Sequence, residues 1–246
     1  MKISATIITF NEEASLPRAL ASVAFCDEII VVDSGSTDQT CDVARQSGAK
    51  VVSRDWPGYA IQKNFAADTA SNDWILALDA DEEVSAELRV SIEQVREQRP
   101  HHHAYRFPRL ARYLGRWIHH SGWYPDAKAR LYDRRHGSWQ GDYVHESVRV
   151  DGSVGELSGD LLHYTCDSFD DHKRRVDRYT DLAARELVDQ GRRVGWIKLL
   201  ASPPWTFLRT YILQRGFLDG AEGLLIARMA AVYVYSKYSK ARAQQK

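Results

Sequence analysis

Asp79, Asp81, Glu82 and Glu83 put four carboxylates within five positions. Like charges at that density repel unless a cation joins them, and the Asp-x-Asp pair offers the hard oxygen ligands that Mg²⁺ or Mn²⁺ prefers. Coordination positions are then left for phosphate oxygens, so the chemistry indicated is that of a metal and a diphosphate. A plainer reading stands beside it. Residues from Ser85 onward carry a helical pattern, and carboxylates suit the positive end of a helix.

The elements around these acids decide how they would be used. Residues 74–78 form an unbroken apolar run, which reads as a fully buried strand. Its acids would emerge at the carboxyl edge of a sheet, where open α/β sheets bind ligands. Upstream, residues 3–9 read as a strand, and Leu16, Ala19, Leu20 and Val23 share one face of a helix that tolerates Pro17 in its first turn. Residues 28–33 repeat the design, an apolar run ending on Asp33. Ser36 and Gln39 have capping-box spacing for a helix ending near Gly48, and Asp38 also suits a helix start. A strand over 50–53 and a helix over 59–70, with Ile61 and Phe65 inward, complete the order β-α-β-α-β-α-β. Right-handed crossovers turn that order into a parallel sheet. Asp33 and Asp79 are then expected to end neighbouring strands and to point into one crevice.

Beyond a helix over 85–97, with Leu88, Ile92 and Val95 on one face, the pattern changes to short strands over 129–132, 143–149 and 157–164. A polar helix over 169–190 follows, with Val176, Tyr179, Ala183 and Leu187 as its buried stripe and Gly191 as its stop. The division expected is an α/β half over 1–100, a second half of the same domain over 101–195, and a helical tail over 196–246.

Net charge is zero over 246 residues but unevenly spread: residues 1–100 carry 9 Lys/Arg against 17 Asp/Glu, and residues 196–246 carry 8 against 2. In that tail, Pro203 and Pro204 precede a helix over 205–214, a turn spans 216–223, and a last helix runs on from Leu224. Tyr233, Tyr235 and Tyr238 stand there beside Arg228, Lys237 and Lys240. Such mixing suits the inner face of an anionic membrane, with aromatic rings at headgroup level. Helices packing on the domain, or on a second copy in a homo-oligomer, are the alternative. Cys26, Cys41 and Cys166 fit no metal or redox spacing, which points to a reducing compartment. No signal peptide or spanning run of ~18 apolar residues is present. The expected location is cytoplasmic, peripheral to the inner membrane, with no nucleic-acid partner. The tract His101 to His103 reads as solvated, and the pairs Arg134-Arg135 and Arg174-Arg175 suit either a phosphorylated acceptor or water.

Together, Ile7-Ile-Thr-Phe-Asn-Glu-Glu13, Val31-Val-Asp-Ser-Gly-Ser-Thr-Asp38, Gln62-Lys-Asn64 and Leu78-Asp-Ala-Asp-Glu82 resemble the family 2 inverting glycosyltransferases of the GT-A fold. That fold is a Rossmann-like, mostly parallel sheet flanked by helices, here with a C-terminal helical extension. Gly122-Trp-Tyr-Pro-Asp126, Arg130-Leu-Tyr132 and Val144-His-Glu-Ser-Val148 look like the branch with the lipopolysaccharide-core β-1,4-glucosyltransferases. The resemblance implies transfer of a hexose, glucose by preference, from a UDP-sugar to a membrane-linked glycolipid acceptor, with Mg²⁺ or Mn²⁺. Thr9, Asn11 and Glu12 would line the uracil pocket, and Asp33 would hold base or ribose. Lys63 and Asn64 would face the diphosphate. Asp79 would touch ribose or metal and Asp81 would bind the metal, with His163 or His145 completing its shell. Inversion needs a base opposite the leaving group; Glu146 is the candidate and Asp126 the alternative. The family's usual motif at this step contains Asp, and this chain has His145-Glu146. Two other classes remain in view. A nucleotidyltransferase would carry a glycine-rich loop where this chain has Phe10-Asn-Glu-Glu13, and a non-catalytic nucleotide-sugar binder would not need a spare carboxylate.

Overall fold

The computed structural model describes residues 1–141, 146–166 and 168–245. The chain forms two compact units, one of Met1–Arg109 with Asp126–His163 and one of Leu110–Pro125 with Tyr164–Lys246. These boundaries differ from the division at 100 and 195 expected from composition. The helix after the middle strands groups with the C-terminal helices, because its buried stripe packs against them.

In the first unit, β1 (Ile3–Thr9), α1 (Leu16–Ser22), β2 (Glu28–Asp33), α2 (Thr40–Gln46), β3 (Lys50–Ser53), α3 (Tyr59–Thr69) and β4 (Trp74–Asp79) follow the anticipated alternation. The four strands are parallel in the order β3-β2-β1-β4. All seven residues of β1 are buried, as a central strand covered on both faces requires. One face packs Ile3, Ala5, Ile7, Val31, Leu76 and Leu78 under α1 and α2. The other packs Ile8, Ile30, Val32, Ile75 and Ala77 under α3. β1 separates β2 from β4, so Asp33 and Asp79 do not end neighbouring strands. Asp33 is level with Thr9 and Asp79 with Ile8. Side chains alternate along a strand, so the two carboxylates leave the sheet on opposite faces.

The sheet continues through β5 (Glu82–Val84), β6 (Ala104–Tyr113), β8 (Asp126–Asp133), β11 (Val154–Glu156) and β12 (Leu161–Cys166), while α4 (Ala86–Gln98) covers its first face. The path from β4 runs β8-β6-β12-β5, with β11 beside β6. β8 is antiparallel to both neighbours, and β9 (Gly137–Gln140) and β10 (Ser147–Val150) form a separate antiparallel pair. β5 corrects the reading of the acids as a helix start. Glu82 and Glu83 sit in a strand paired with Leu161–His163, and the cap of α4 is Ser85, whose Oγ accepts from the Leu88 N–H at 3.2 Å.

α3 is rotated from expectation. Ile61 is 53% exposed, while Gln62, Lys63, Ala66 and Ala67 face inward. Small alanines let the helix lie close on the sheet, and the long polar chains beside them reach its carboxyl edge. The N-cap of α2 is Gln39, which makes no side-chain cap bond; Asp38, just before it, accepts from the Thr40 N–H through Oδ1 at 3.0 Å. Ser36 bonds Asp33 instead.

The second unit holds β7 (Arg116–Trp117), α5 (Phe169–Asp189), α6 (Trp196–Leu208), a π-helical turn over Arg209–Leu213, a 3-10 turn over Gly216–Asp219 and α7 (Gly220–Gln244). The buried residues of α5 are Val176, as expected, then Thr180 and Ala184, one position beyond the expected Tyr179 and Ala183. Pro203 and Pro204 lie inside α6 and do not break it. The carbonyls they leave without donors are those of Leu199 and Leu200, and Leu200 is exposed to water. α7 packs on both α5 and α6; Ile226 joins Tyr113, Ile118 and Cys166 in one cluster, and Ala241 joins Ala184 and Val194 in another.

The loop before β12 meets α4 closely. Asp160 and Ser85 exchange two hydrogen bonds, and a Cβ on Gly159, at φ +90°, would lie 2.2 Å from the Leu88 nitrogen. Gly48, at φ +79°, has open space instead. Gly48→Ala is expected to cost about 1–2 kcal/mol for the left-handed backbone alone, and Gly159→Ala a further ~1–3 kcal/mol for overpacking. Urea unfolding of both variants checks this, and equal losses would remove the packing argument.

Candidate active site

The carboxyl edge of β1 and β2 is laced by two loops. The Asn11 N–H donates to Ser36 Oγ at 2.8 Å, and Asn11 Oδ1 accepts from the Thr37 N–H at 2.8 Å. Asn11 has the left-handed φ of 54°, which Asn tolerates. The Glu12 N–H donates to Thr40 Oγ1 at 2.8 Å. Asp33 is 2% exposed and accepts from the Gly35 and Ser36 N–H groups and from Ser36 Oγ. Its carboxylate first builds its own turn, which leaves less of it for a ligand than the sequence indicated. Thr9 is buried beside it with no hydrogen-bond partner for Oγ1.

On the opposite face, the end of β4 enters a cluster of buried charges. Lys63, 3% exposed, places Nζ 2.8 Å from Asp79 Oδ1 and 3.0 Å from Glu146 Oε1. Arg130, its side chain 5% exposed, places Nη2 2.9 Å from both Asp79 Oδ2 and Glu82 Oε1. Glu82 Oε2 also accepts from the Asp79 N–H at 3.0 Å. Both cations lie over the Trp139 ring, Lys63 at 4.3 Å and Arg130 at 5.0 Å from its centroid, a favourable place for positive charge. Burial alone would raise the Asp79 carboxyl, but Lys63 and Arg130 outweigh it and hold the group well below the usual carboxylate range. Burial works against the Arg130 charge in turn, and Glu82 and Asp79 more than restore it.

The cluster engages three of the residues that the resemblance assigns to the donor. Asp79 faces two cations. Lys63 is bound to two carboxylates within the protein. Asn64 holds Trp139: its Nδ2 donates to the Trp139 carbonyl at 2.9 Å and its Oδ1 accepts from the Trp139 N–H at 2.8 Å, which fixes β9 beneath the cluster. Asp126 accepts from Arg109 at 2.7 Å and pairs with Lys128 at 3.0 Å. Burial pushes that carboxyl up, but the Lys128 hydrogen bond and the Arg109 charge bring it below its ordinary value, which weakens it as a base.

Past the turn at Ala80 and Asp81, the acid series divides. Asp81 Oδ2 lies 3.3 Å from His163 Nε2, with both side chains partly open to solvent. Adjacent ligands of an octahedral Mg²⁺ stand roughly 3 Å apart, so this oxygen and nitrogen suit one ion. Among the described residues no group of three or more His, Cys, Asp or Glu gathers in this way. Any remaining positions would fall to water or substrate oxygens. His145 lies outside the described residues.

Arg130 and Trp139 were missed in the sequence. A signal existed for Arg130, since a charged residue between Ala129 and Leu131 on a strand with neighbours on both sides must find a buried partner. None existed for Trp139, which only the β9–β10 pairing brings under Lys63. Arg134 answers another open question: its Nη1 donates to the Ala67 and Ala70 carbonyls at 2.7 and 2.8 Å, capping the end of α3 rather than waiting for phosphate.

Residues 4–146 match the family described as Glycosyl transferase family 2. The chain belongs to that family. This family 2 chain is 34% identical over 253 residues to an uncharacterized glycosyltransferase of Rickettsia typhi, across 98% of this chain and 87% of the relative. It is 31% identical over 252 residues to the lipopolysaccharide core biosynthesis glycosyltransferase LpsC of Rhizobium meliloti, across 98% and 92%. It is therefore a glycosyltransferase and a homologue of a lipopolysaccharide-core enzyme. Residues 1–349 of TarS from S. aureus share the fold with a TM-score of 0.52 at 17% identity, over 100% of this chain and 92% of that one. That protein has also been solved with UDP-GlcNAc. The GT-A arrangement expected from the motifs, with its C-terminal helices, is thus the fold of this chain.

Removing Arg130 would leave Asp79 and Glu82 buried with reduced compensation. Arg130→Met is expected to cost about 3–5 kcal/mol in urea unfolding, and a loss under 1 kcal/mol would show the cluster to be dispensable. Asp79 is depressed in the folded state from about 3.9 in the unfolded chain. Its contribution is complete above that value and is lost as pH falls toward the folded one. Unfolding free energy should therefore decline below about pH 4, and Asp79→Asn should flatten that decline; an unchanged slope would assign it to other groups.

Proposed function

We propose that this family 2 glycosyltransferase moves a hexose, glucose by preference, from a UDP-sugar to a membrane-linked glycolipid such as a lipopolysaccharide core, with inversion and with Mg²⁺ or Mn²⁺. One observation carries the reading. Asp81 and His163 form a partly open ligand pair just past a strand end whose other acid, Asp79, is tied through Lys63 to the spare carboxylate Glu146.

A nucleotide lying across the carboxyl edge of the sheet meets Thr9, Asn11, Glu12 and Asp33 at its base end and Asp79 toward the ribose. Asp81 and His163 would hold the divalent ion, which when bound offsets the negative charge growing on the departing diphosphate. Glu146 takes the proton from the acceptor hydroxyl as that oxygen bonds to the anomeric carbon and UDP leaves from the opposite side. Lys63 acts as a positioning residue, orienting Glu146 against Asp79. Glu146 pairs with Lys63 through Oε1, whereas Asp126 pairs with both Arg109 and Lys128, which leaves Glu146 the better base. The helical C-terminal unit gives the glycolipid reading its second support. No helix among the described residues is long and apolar enough to cross a membrane, and the exposed apolar side chains within residues 190–218, a stretch without Asp or Glu, suit peripheral attachment to an anionic inner membrane from the cytoplasmic side.

Asp81→Ala should abolish the Mn²⁺-dependent part of UDP binding, read by calorimetry with and without the ion, at unchanged melting temperature. Equal binding in both conditions would remove the metal role. Glu146→Gln should bind UDP-sugar as the parent does and turn over about 10²–10⁴-fold more slowly; full activity would place the base elsewhere.

A further inference from the structure

Large apolar side chains are exposed in one short part of the second unit. Trp196, Ile197, Leu200, Trp205, Leu208, Ile212, Leu213, Phe217 and Leu218 all face water, Ile197 at 85%. Along α6, Ile197, Leu200, Pro204 and Leu208 recur at helical spacing on one side, with Trp205 next to them, whereas Leu199 is buried on the other. This surface exceeds the scattered apolar residues ordinary for a soluble protein. Its charge is also one-sided. Residues 190–218 contain Arg192, Arg193, Lys198, Arg209 and Arg215 and no Asp or Glu. The next acids along the chain are engaged elsewhere: Asp219 is buried against the backbone of His119 and His120 and the Ser121 hydroxyl, and Glu222 pairs with Arg116.

α7, where the sequence placed the membrane contact, is occupied by packing within the unit. Lys240 lies 2.8 Å from Asp181 Oδ1 and 2.8 Å from Thr180 Oγ1. Arg242 donates to the Val194 carbonyl at 2.9 Å and lies 3.9 Å from the centroid of the Trp196 ring. Lys237 lies over the Tyr233 and Tyr238 rings. Of the residues read as an anchor, Lys240 is thus tied to α5 and Tyr238 meets Lys198 of α6, while Arg228 and Tyr235 stay exposed.

We propose that α6 and the two turns after it, not α7, form the surface that docks on a bilayer of anionic phospholipid. α6 lies in the plane of the interface, its apolar side among the acyl chains, with Lys198 and the flanking Arg192, Arg193, Arg209 and Arg215 at the phosphates. The tryptophans near its beginning and in its later half sit at headgroup level. A second copy is a worse occupant, because a two-fold contact through this face would bring two acid-free basic surfaces together. The inference rests on the membrane reading above and sharpens it by naming the contacting face.

The test is co-sedimentation of the full chain with phosphatidylcholine vesicles and with vesicles also containing phosphatidylglycerol. The parent is compared with Ile197→Ser/Leu200→Ser/Leu208→Ser and with Val232→Ser/Tyr235→Ser on the exposed side of α7, after matching melting curves. Parent binding to anionic vesicles, lowered at least tenfold by the α6 substitutions and unchanged by the α7 pair, is the expected result. Loss through the α7 pair with retention by the α6 variant would overturn the face and leave the membrane reading intact. If the parent ignores both vesicle types, both readings fall. A concentration-dependent dimer that the α6 substitutions dissolve, without vesicle binding, would assign the face to a second copy instead.

Discussion

Two cations buried at the end of a parallel strand are the constraint around which the first unit is arranged. Burying Lys63 and Arg130 there without Asp79, Glu82 and Glu146 as partners would be costly, because bringing an ion out of water costs several kcal/mol. Each partner is set by a different element: α3 supplies Lys63, β8 supplies Arg130, β4 and β5 supply the inner acids, and Glu146 lies just before β10. Trp139 lies under both cations and is fixed by the paired bonds from Asn64. A shift of any one element exposes or strands a charge, so the cluster holds the register of the sheet edge as well as its chemistry.

That arrangement divides the work of the acidic segment. Residues two apart on a regular strand would share a side, which is how an Asp-x-Asp pair would grip one ion together. The strand ends at Asp79, however, and a turn intervenes before β5. Asp79 and Glu82 face the buried cations while Asp81 meets His163 near solvent. The inner acids therefore fix geometry and electrostatics, and the outer pair retains open ligand capacity. The position of Glu146 follows from the same cluster, since its partner Lys63 is itself tied to Asp79.

The second unit shows a similar division of labour. α7 directs Lys240 to α5, Arg242 to the Val194 carbonyl and the Trp196 ring, and Lys237 to tyrosine rings, so these three cations contribute to packing. α6 uses only its inner side for packing and leaves its apolar side bare. The two helices thus acquire different roles because α7 packs on both α5 and α6, whereas α6 leaves Ile197, Leu200 and Leu208 exposed.

Much of this protein follows from the order of its residues alone. The alternation of apolar runs and helical stripes gave the parallel β3-β2-β1-β4 half, since burial on both faces forces continuous hydrophobicity. The motifs around Asn11, Asp33, Lys63 and Asp79 gave the family, and a hydrogen-bonding role for Asp38 at the start of α2 was legible from its local capacity. The partner of each charge was not legible. Ile61 looked like the buried residue of α3 because it is apolar, and only the carboxylates of Asp79 and Glu146, 16 and 83 positions further along the chain, made Lys63 the inward one. Asp33 and Asp79 look alike in sequence, yet strand alternation and the intervening β1 send them to opposite faces. Local pattern fixes what a segment becomes, whereas pairing between buried charges depends on contacts distant in the chain, and only the tertiary structure decides those.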